Sequence, residues 1–179
     1  GTDFASFSIN QDTGELSLKS QPDYETKSSY SVTILSTDEG GKTFSKSFTV
    51  SISDGNDAPT LIVPTAGSVT EDAATSTVTG SLVGSDPENA PLTYLMPGQT
   101  AFDGSYTVTG TYGTLSLNAS SGVYTYTLNN TATTVQALSA SSRETESFSV
   151  QVTDGSNTPA AQNLSFTING ANDAPSSIT

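Results

Sequence analysis

The chain of 179 residues contains no cysteine, so neither a disulfide framework nor a thiolate metal site can form. It contains no histidine either, which removes the commonest zinc ligand and general base. Bases are scarce: Lys19, Lys27, Lys42, Lys46 and Arg143 are spread without clustering, so no nucleic-acid partner and no attraction to anionic membranes are expected. No run of apolar residues is long enough for a membrane span, and no signal peptide opens the chain. The expectation is a segment of a longer protein with no membrane insertion.

What is present is acidic and alternating. Eighteen acids against five bases give a net charge of −13 although charged residues make up only 13% of the chain. So low a charged fraction, with apolar residues in regular alternating runs, argues for a folded all-β chain rather than an acidic disordered tail. From Phe4 to Asp57 the pattern predicts four strands, Phe4 to Asn10, Glu15 to Lys19, Tyr30 to Ser36 and Thr43 to Ser53. In the last, Phe44, Phe48, Val50 and Ile52 are read as one face and Lys46, Thr49 and Ser51 as the other. Four strands make one sheet and not a closed sandwich.

From Thr60 to Gly170 about seven to nine strands are predicted, by alternation between turn residues. They include Ser76 to Val83, Leu92 to Met96, Ser105 to Thr109, Thr114 to Leu117 and Val123 to Leu128. Phe148, Val150 and Val152, then Leu164, Phe166 and Ile168, supply a closing pair, and Thr133 to Ser141 is the one stretch suited to a short helical turn. The expected division is 1–57 as the carboxyl-terminal half of one domain, 58–175 as a complete sandwich and 176–179 as the start of a linker.

The hexapeptide Asp54-Gly55-Asn56-Asp57-Ala58-Pro59 returns as Gly170-Ala171-Asn172-Asp173-Ala174-Pro175, each copy closing a strand-like stretch. Domain junctions are ordinarily flexible and Gly/Ser/Pro-rich. Here consecutive hard oxygen donors stand instead, the chemistry that calcium takes in sets of six to eight. Further acids gather at Asp23-Tyr24-Glu25, Asp86-Pro87-Glu88 and Asp154. Asp, Asn, Gly and Pro also make turns for their own sake, but crowded carboxylates without a cation repel one another.

The first segment resembles the second half of a cadherin repeat: Phe7-Ser8-Ile9-Asn10, Thr13-Gly14-Glu15-Leu16, Asp23-Tyr24-Glu25, Tyr30-Ser31-Val32, Asp38 and the linker follow that family's order over residues 3–59. The second is similar to the VCBS, or cadherin-like, repeats of large bacterial RTX-type adhesins. The carriers there are Val69-Thr70-Glu71-Asp72, Gly80-Ser81-Leu82, Tyr112-Gly113-Thr114-Leu115, Tyr124 to Leu128, Val135-Gln136-Ala137-Leu138, Asp154-Gly155 and Asn172-Asp173. The resemblance implies tandem Greek-key, immunoglobulin- or cadherin-like β-sandwiches, the first incomplete. It implies a central calcium site of Asp23, Glu25, Asp54, Asn56, Asp57, Asp86, Glu88 and Asp154. A second, poorer set is Glu71, Glu144, Asn172 and Asp173, where Gly170 and Ser142 replace two carboxylates, and Asp38 would face a junction upstream.

The function so implied is a calcium-stiffened rod segment of a bacterial surface adhesin, extracellular, with neighbouring repeats as partners. A homo-oligomer formed by strand exchange of the incomplete first domain is a further expectation. The alternative is a calcium-dependent glycan-binding or homophilic adhesion module, with Tyr106, Tyr112, Tyr124 and Tyr126 as the side chains that could stack on sugars. Catalysis is not expected, because no carboxylate pair is separable from the calcium pattern.

Overall fold

The computed structural model describes residues 1–65 and 67–173, so Ala174, Pro175 and the linker expected over 176–179 lie outside the described residues. The chain divides into two compact units, Gly1–Asn56 and Asp57–Thr179. Among the described residues there is no α-helix, and none that is long and apolar enough to cross a membrane. The fold is all-β.

In unit 1, β1 (Phe7–Ile9) pairs with β2 (Leu16–Leu18), and β3 (Ser29–Thr37) with β4 (Thr43–Ser51), both antiparallel. The expected first strand is shortened because Phe4–Ser6 forms a 3₁₀ turn, closed by Ser6 N–H on Asp3 O at 3.0 Å. Phe7 and Val32 are buried, and Phe7 meets Tyr30 edge-on at 5.9 Å. One expectation is corrected. Side chains alternate along a strand, so Lys46 shares the face of Phe44, Phe48 and Val50; it stands opposite Ile34 with its ammonium 5.2 Å from the Phe48 ring centre. Phe44 and Phe48 remain 72% and 40% exposed, so this sheet is only partly covered by the β1–β2 ribbon.

Among the described residues unit 2 holds ten strands, one more than the upper expectation. β5 (Thr60–Ile62) pairs with β8 (Val83–Ser85). One sheet runs β10 (Ser105–Thr109), β11 (Gly113–Asn118), β12 (Val123–Leu128), β7 (Thr77–Ser81). The facing sheet runs β6 (Ser68–Thr70), β14 (Gln162–Asn169), β13 (Arg143–Thr153), β9 (Thr93–Leu95), with β6 parallel to β14. The stretch expected as one strand from Ser76 to Val83 breaks at Leu82, which is buried and where the chain leaves β12 for β5. Thr133 to Ser141 contains turns rather than an assigned helix, with Gln136 N–H on Ala132 O at 3.0 Å as its helix-like bond.

The core forms where alternate residues of the two sheets meet. Leu115, Leu117, Tyr126 and Leu128 face Phe148, Val150, Leu164, Phe166 and Ile168, all buried, and Tyr126 stacks on Phe166 at 4.4 Å. Aromatic pairs of this kind add about 1 kcal/mol beyond the area they bury. The sandwich holds two sets of loops apart, because β13 alone spans eleven residues, roughly 30 Å.

Candidate metal centre

In unit 1 the acids fall at opposite ends of the β3–β4 hairpin. Glu25 precedes β3 and Asp54 follows β4, and these two carboxylates offer oxygens within 4.8 Å of each other. Like charges at that distance, both exposed, disfavour closer approach without a cation. Asp23 caps the adjoining turn, its oxygens accepting the Thr26 hydroxyl at 2.8 Å and the Thr26 N–H at 3.0 Å. Those bonds hold the Asp23 carboxyl below the usual carboxylate range. Asn56 lies beyond Asp54 on the exposed chain leaving β4. Asp38 stands at the far end of the hairpin, where its carboxylate accepts the Lys42 N–H at 2.8 Å.

In unit 2, Thr60 pairs with Ser85, so the residues before β5 and after β8 share one end of that ribbon. Asp57 donates its N–H to Glu88 Oε2 at 3.2 Å, and Asp86 Oδ1 accepts the Ala90 N–H at 2.8 Å. The remaining oxygens, Asp86 Oδ2 and Glu88 Oε1, are buried with no hydrogen-bond partner. An unpartnered buried carboxylate oxygen is costly, and it is the arrangement a hard cation relieves. The donor chemistry therefore fits calcium here. Asp154 ends β13 and accepts the N–H groups of Ser156 and Asn157 at 2.6 and 2.5 Å.

The other expected set sits at the opposite end of β13. Glu71 follows β6, Glu144 lies near the start of β13, and Asn172 and Asp173 follow β14 on the exposed chain. Glu71 is only 1% exposed, and each of its oxygens already accepts an N–H: Oε1 from Gln136 Nε2 at 3.3 Å and Oε2 from Ala171 N at 3.1 Å.

The acid that sequence reasoning missed is Glu146. It is buried, and its carboxylate accepts the N–H groups of Thr111, Tyr112 and Gly113 and the Tyr126 hydroxyl, the last at 2.8 Å. Gly110 lies so close that a Cβ there would come within 2.3 Å of Glu146 Oε1. Burial first, then the bond to Glu146, pushes the Tyr126 hydroxyl well above the ordinary tyrosine range. A signal was available: Glu146 is in phase with Phe148, Val150 and Val152, so an acid there points into the core. Tyr106, Tyr124 and Tyr126 are buried and unavailable for stacking on a sugar.

Two family models match. Residues 56–170 match the bacterial cadherin-like domain, and residues 1–53 match the cadherin domain. Among curated relatives, the protocadherin-like wing polarity protein stan of Drosophila melanogaster is 34% identical over 119 residues, 63% of this chain and 3% of its own length. Human protocadherin Fat 4 is 30% identical over 102 residues, 54% of this chain and 2% of its own length. The chain thus spans a few hundredths of the length of these relatives. The crystal structure of domains EC1-2 of human protocadherin-24 covers 98% of this chain and 80% of its own, with a TM-score of 0.54 at 18% identity. That likeness concerns the fold, a cadherin-type β-sandwich.

Proposed function

We propose a function from one premise: this chain belongs to the bacterial cadherin-like domain family. Cadherin domains are extracellular adhesion modules that generally bind calcium. Our reading is that this chain is a calcium-binding extender segment of a bacterial cell-surface adhesin of the VCBS or RTX type. Calcium would be held by Asp23, Glu25, Asp54, Asn56 and Asp57 together with Asp86, Glu88 and Asp154, stiffening the junction between repeats and supporting attachment to cells or surfaces. Neighbouring repeats are its partners. Strands from a neighbouring repeat or a second copy would cover the face on which Phe44 and Phe48 are exposed.

The observation that carries the reading is the pair of buried, unpartnered oxygens at Asp86 and Glu88. When bound, calcium supplies positive charge and a coordination shell of about six to eight oxygens. The chain's own part is to hold the donors in place, through the β5–β8 ribbon and through the Asp57 and Ala90 N–H bonds. Extracellular calcium modules bind with dissociation constants of roughly 0.1 to 1 mM. Binding of that strength leaves the segment pliable at cytosolic calcium and ordered outside the cell.

The test is calorimetric titration of calcium into the whole chain and into Asp57→Ala and Asp86→Asn. Affinity weakened by at least about tenfold in the variants is expected from the loss of a charged ligand; unchanged stoichiometry and affinity would overturn the site. Small-angle scattering adds a test of stiffening, since equal maximum dimensions in calcium and in chelator would remove that part of the reading. Of the tyrosines available to the glycan-binding alternative, Tyr106, Tyr124 and Tyr126 are buried and Tyr112 is half-buried, so Tyr112 alone of the four offers it a stacking surface.

A further inference from the structure

The end of unit 2 where β6 and β14 finish side by side carries a polar cluster that the calcium reading does not use. Its centre is Glu71, buried and bonded through both oxygens to Gln136 Nε2 and the Ala171 N–H. Gln136 Nε2 also donates to the Asn130 carbonyl at 2.8 Å. The Asn130 side chain serves the next acid, donating to Asp72 Oδ1 at 2.6 Å and accepting the Asp72 N–H at 3.0 Å. Two consecutive acids are thus held by two amide side chains and one backbone N–H. The donors come from the connection after β12 and from the chain leaving β14. None of them is a cation.

Gly170 belongs to the same construction. It stands where the first copy of the repeated hexapeptide has Asp54, and a side chain has no room there. A Cβ at 170 would lie 2.2 Å from Ser139 O and 2.8 Å from Leu138 Cβ, and the first of these is backbone. Glycine lets the Leu138–Ser139 turn lie directly against the departing chain. The same turn region carries Val135, fully buried, and Gln136, which reaches Glu71. Loss of the linker carboxylate and gain of the amide donor are two aspects of one packing arrangement.

We propose that this end of unit 2 is a metal-independent amide lock, in which Gln136 and the Ala171 N–H take the place of a cation at Glu71 and fix the chain's exit from β14. Gln136 is a positioning residue: it neutralises nothing, but its N–H compensates the burial of the Glu71 carboxylate. The exit therefore keeps its order in chelator. The contrast with the other end rests on the calcium reading above, whereas the lock itself rests on Gln136 and Ala171.

The experiment is nuclear magnetic resonance on the whole chain in chelator, then through a titration to several millimolar calcium, with amide hydrogen exchange in both states. In chelator the Ala171 N–H is expected to be protected, and its shift and that of Gln136 Nε2 stay in place through the titration. The Asp57 and Ala90 amides move. Gln136→Leu, which keeps the side-chain bulk, lowers Ala171 protection by at least about tenfold in chelator. Unprotected Ala171 in the unaltered chain overturns the lock, and so does a saturable calcium shift at Ala171 and Gln136 Nε2, which would make Glu71 a metal ligand. If the Asp57 and Ala90 amides also stay in place, the calcium reading fails, while protection of Ala171 and its loss in Gln136→Leu still support the lock.

Discussion

Glu146 and Asp86 are both 7% exposed, and the protein treats them in opposite ways. Glu146 gathers three backbone N–H groups and a tyrosine hydroxyl around its carboxylate. Asp86 receives the Ala90 N–H on one oxygen, while the other is sealed from water and from any donor, as is one oxygen of its neighbour Glu88. A buried carboxylate is tolerated where donors converge on it. The first acid is therefore a finished part of the sandwich, whereas each of the second two keeps one buried oxygen that no donor serves. Glu71, served by two N–H groups, stands nearer to Glu146 than to Asp86.

The largest expected effect is on the finished site. Glu146→Ala strands three N–H groups and the Tyr126 hydroxyl in the core, and should lower unfolding free energy by roughly 3 to 5 kcal/mol, equally in calcium and in chelator. Denaturant melts of the whole chain check this, and a loss that calcium repairs would erase the distinction between the two kinds of acid. Next comes the double change Asp86→Asn with Glu88→Gln. Calcium at about 100 times its dissociation constant stabilises a binder by roughly 2.7 kcal/mol, and this increment should vanish in the double variant. In chelator the same variant should be more stable than the unaltered chain by about 1 kcal/mol, since neutral groups are cheaper to bury.

A smaller effect tests the exposed acid of unit 1. The Asp23 carboxyl is held below its ordinary value of 3.8 by the Thr26 hydroxyl and N–H. Its folded-state pKa is depressed, so its contribution is complete above the ordinary value and is lost as the pH falls through the lower, folded value. Asp23→Asn should flatten that part of the acid limb for unit 1, followed by the Thr26 amide shift against pH. An acid limb unchanged by the substitution would show that Asp23 does not stabilise the turn. Smallest is Lys46→Met, which removes the ammonium above Phe48 and should cost about 0.5 kcal/mol at so exposed a site. A larger loss would mean that this face is covered.

Strand content was legible wherever one face alternated cleanly. Ser105–Thr109 and Val123–Leu128 have the boundaries that alternation predicts. It was less legible where the chain changes partner, as at Leu82, because a switch between ribbons leaves the apolar pattern unbroken. The same alternation, applied strictly, puts Lys46 among the phenylalanines of β4, although an expectation that charges face water assigns it elsewhere. The candidate acids were visible as Asp- and Glu-rich turns. Their states were not, since a turn acid such as Asp154, bonded within its own loop, and a buried one such as Asp86 look alike in a string of letters. Gln136 carried no chemical signal of its own, because a neutral amide becomes informative only beside the carboxylate it serves.

By itself the sequence determined that this protein is a cysteine-free, acidic, all-β chain with a repeated acidic linker, and it marked which oxygens could reach a cation. Alternation and turn chemistry act over a few residues, so they can be read locally. Only the tertiary structure decided which acids are satisfied. The donors to Glu71 come from Gln136 and Ala171, 65 and 100 positions away, and those to Glu146 from backbone N–H groups 33 to 35 positions before it and from the Tyr126 hydroxyl 20 positions before it. Burial likewise depends on an opposing sheet: Phe148 and Phe166 disappear between two layers, while in an equally regular hairpin Phe44 remains largely exposed and Phe48 partly so.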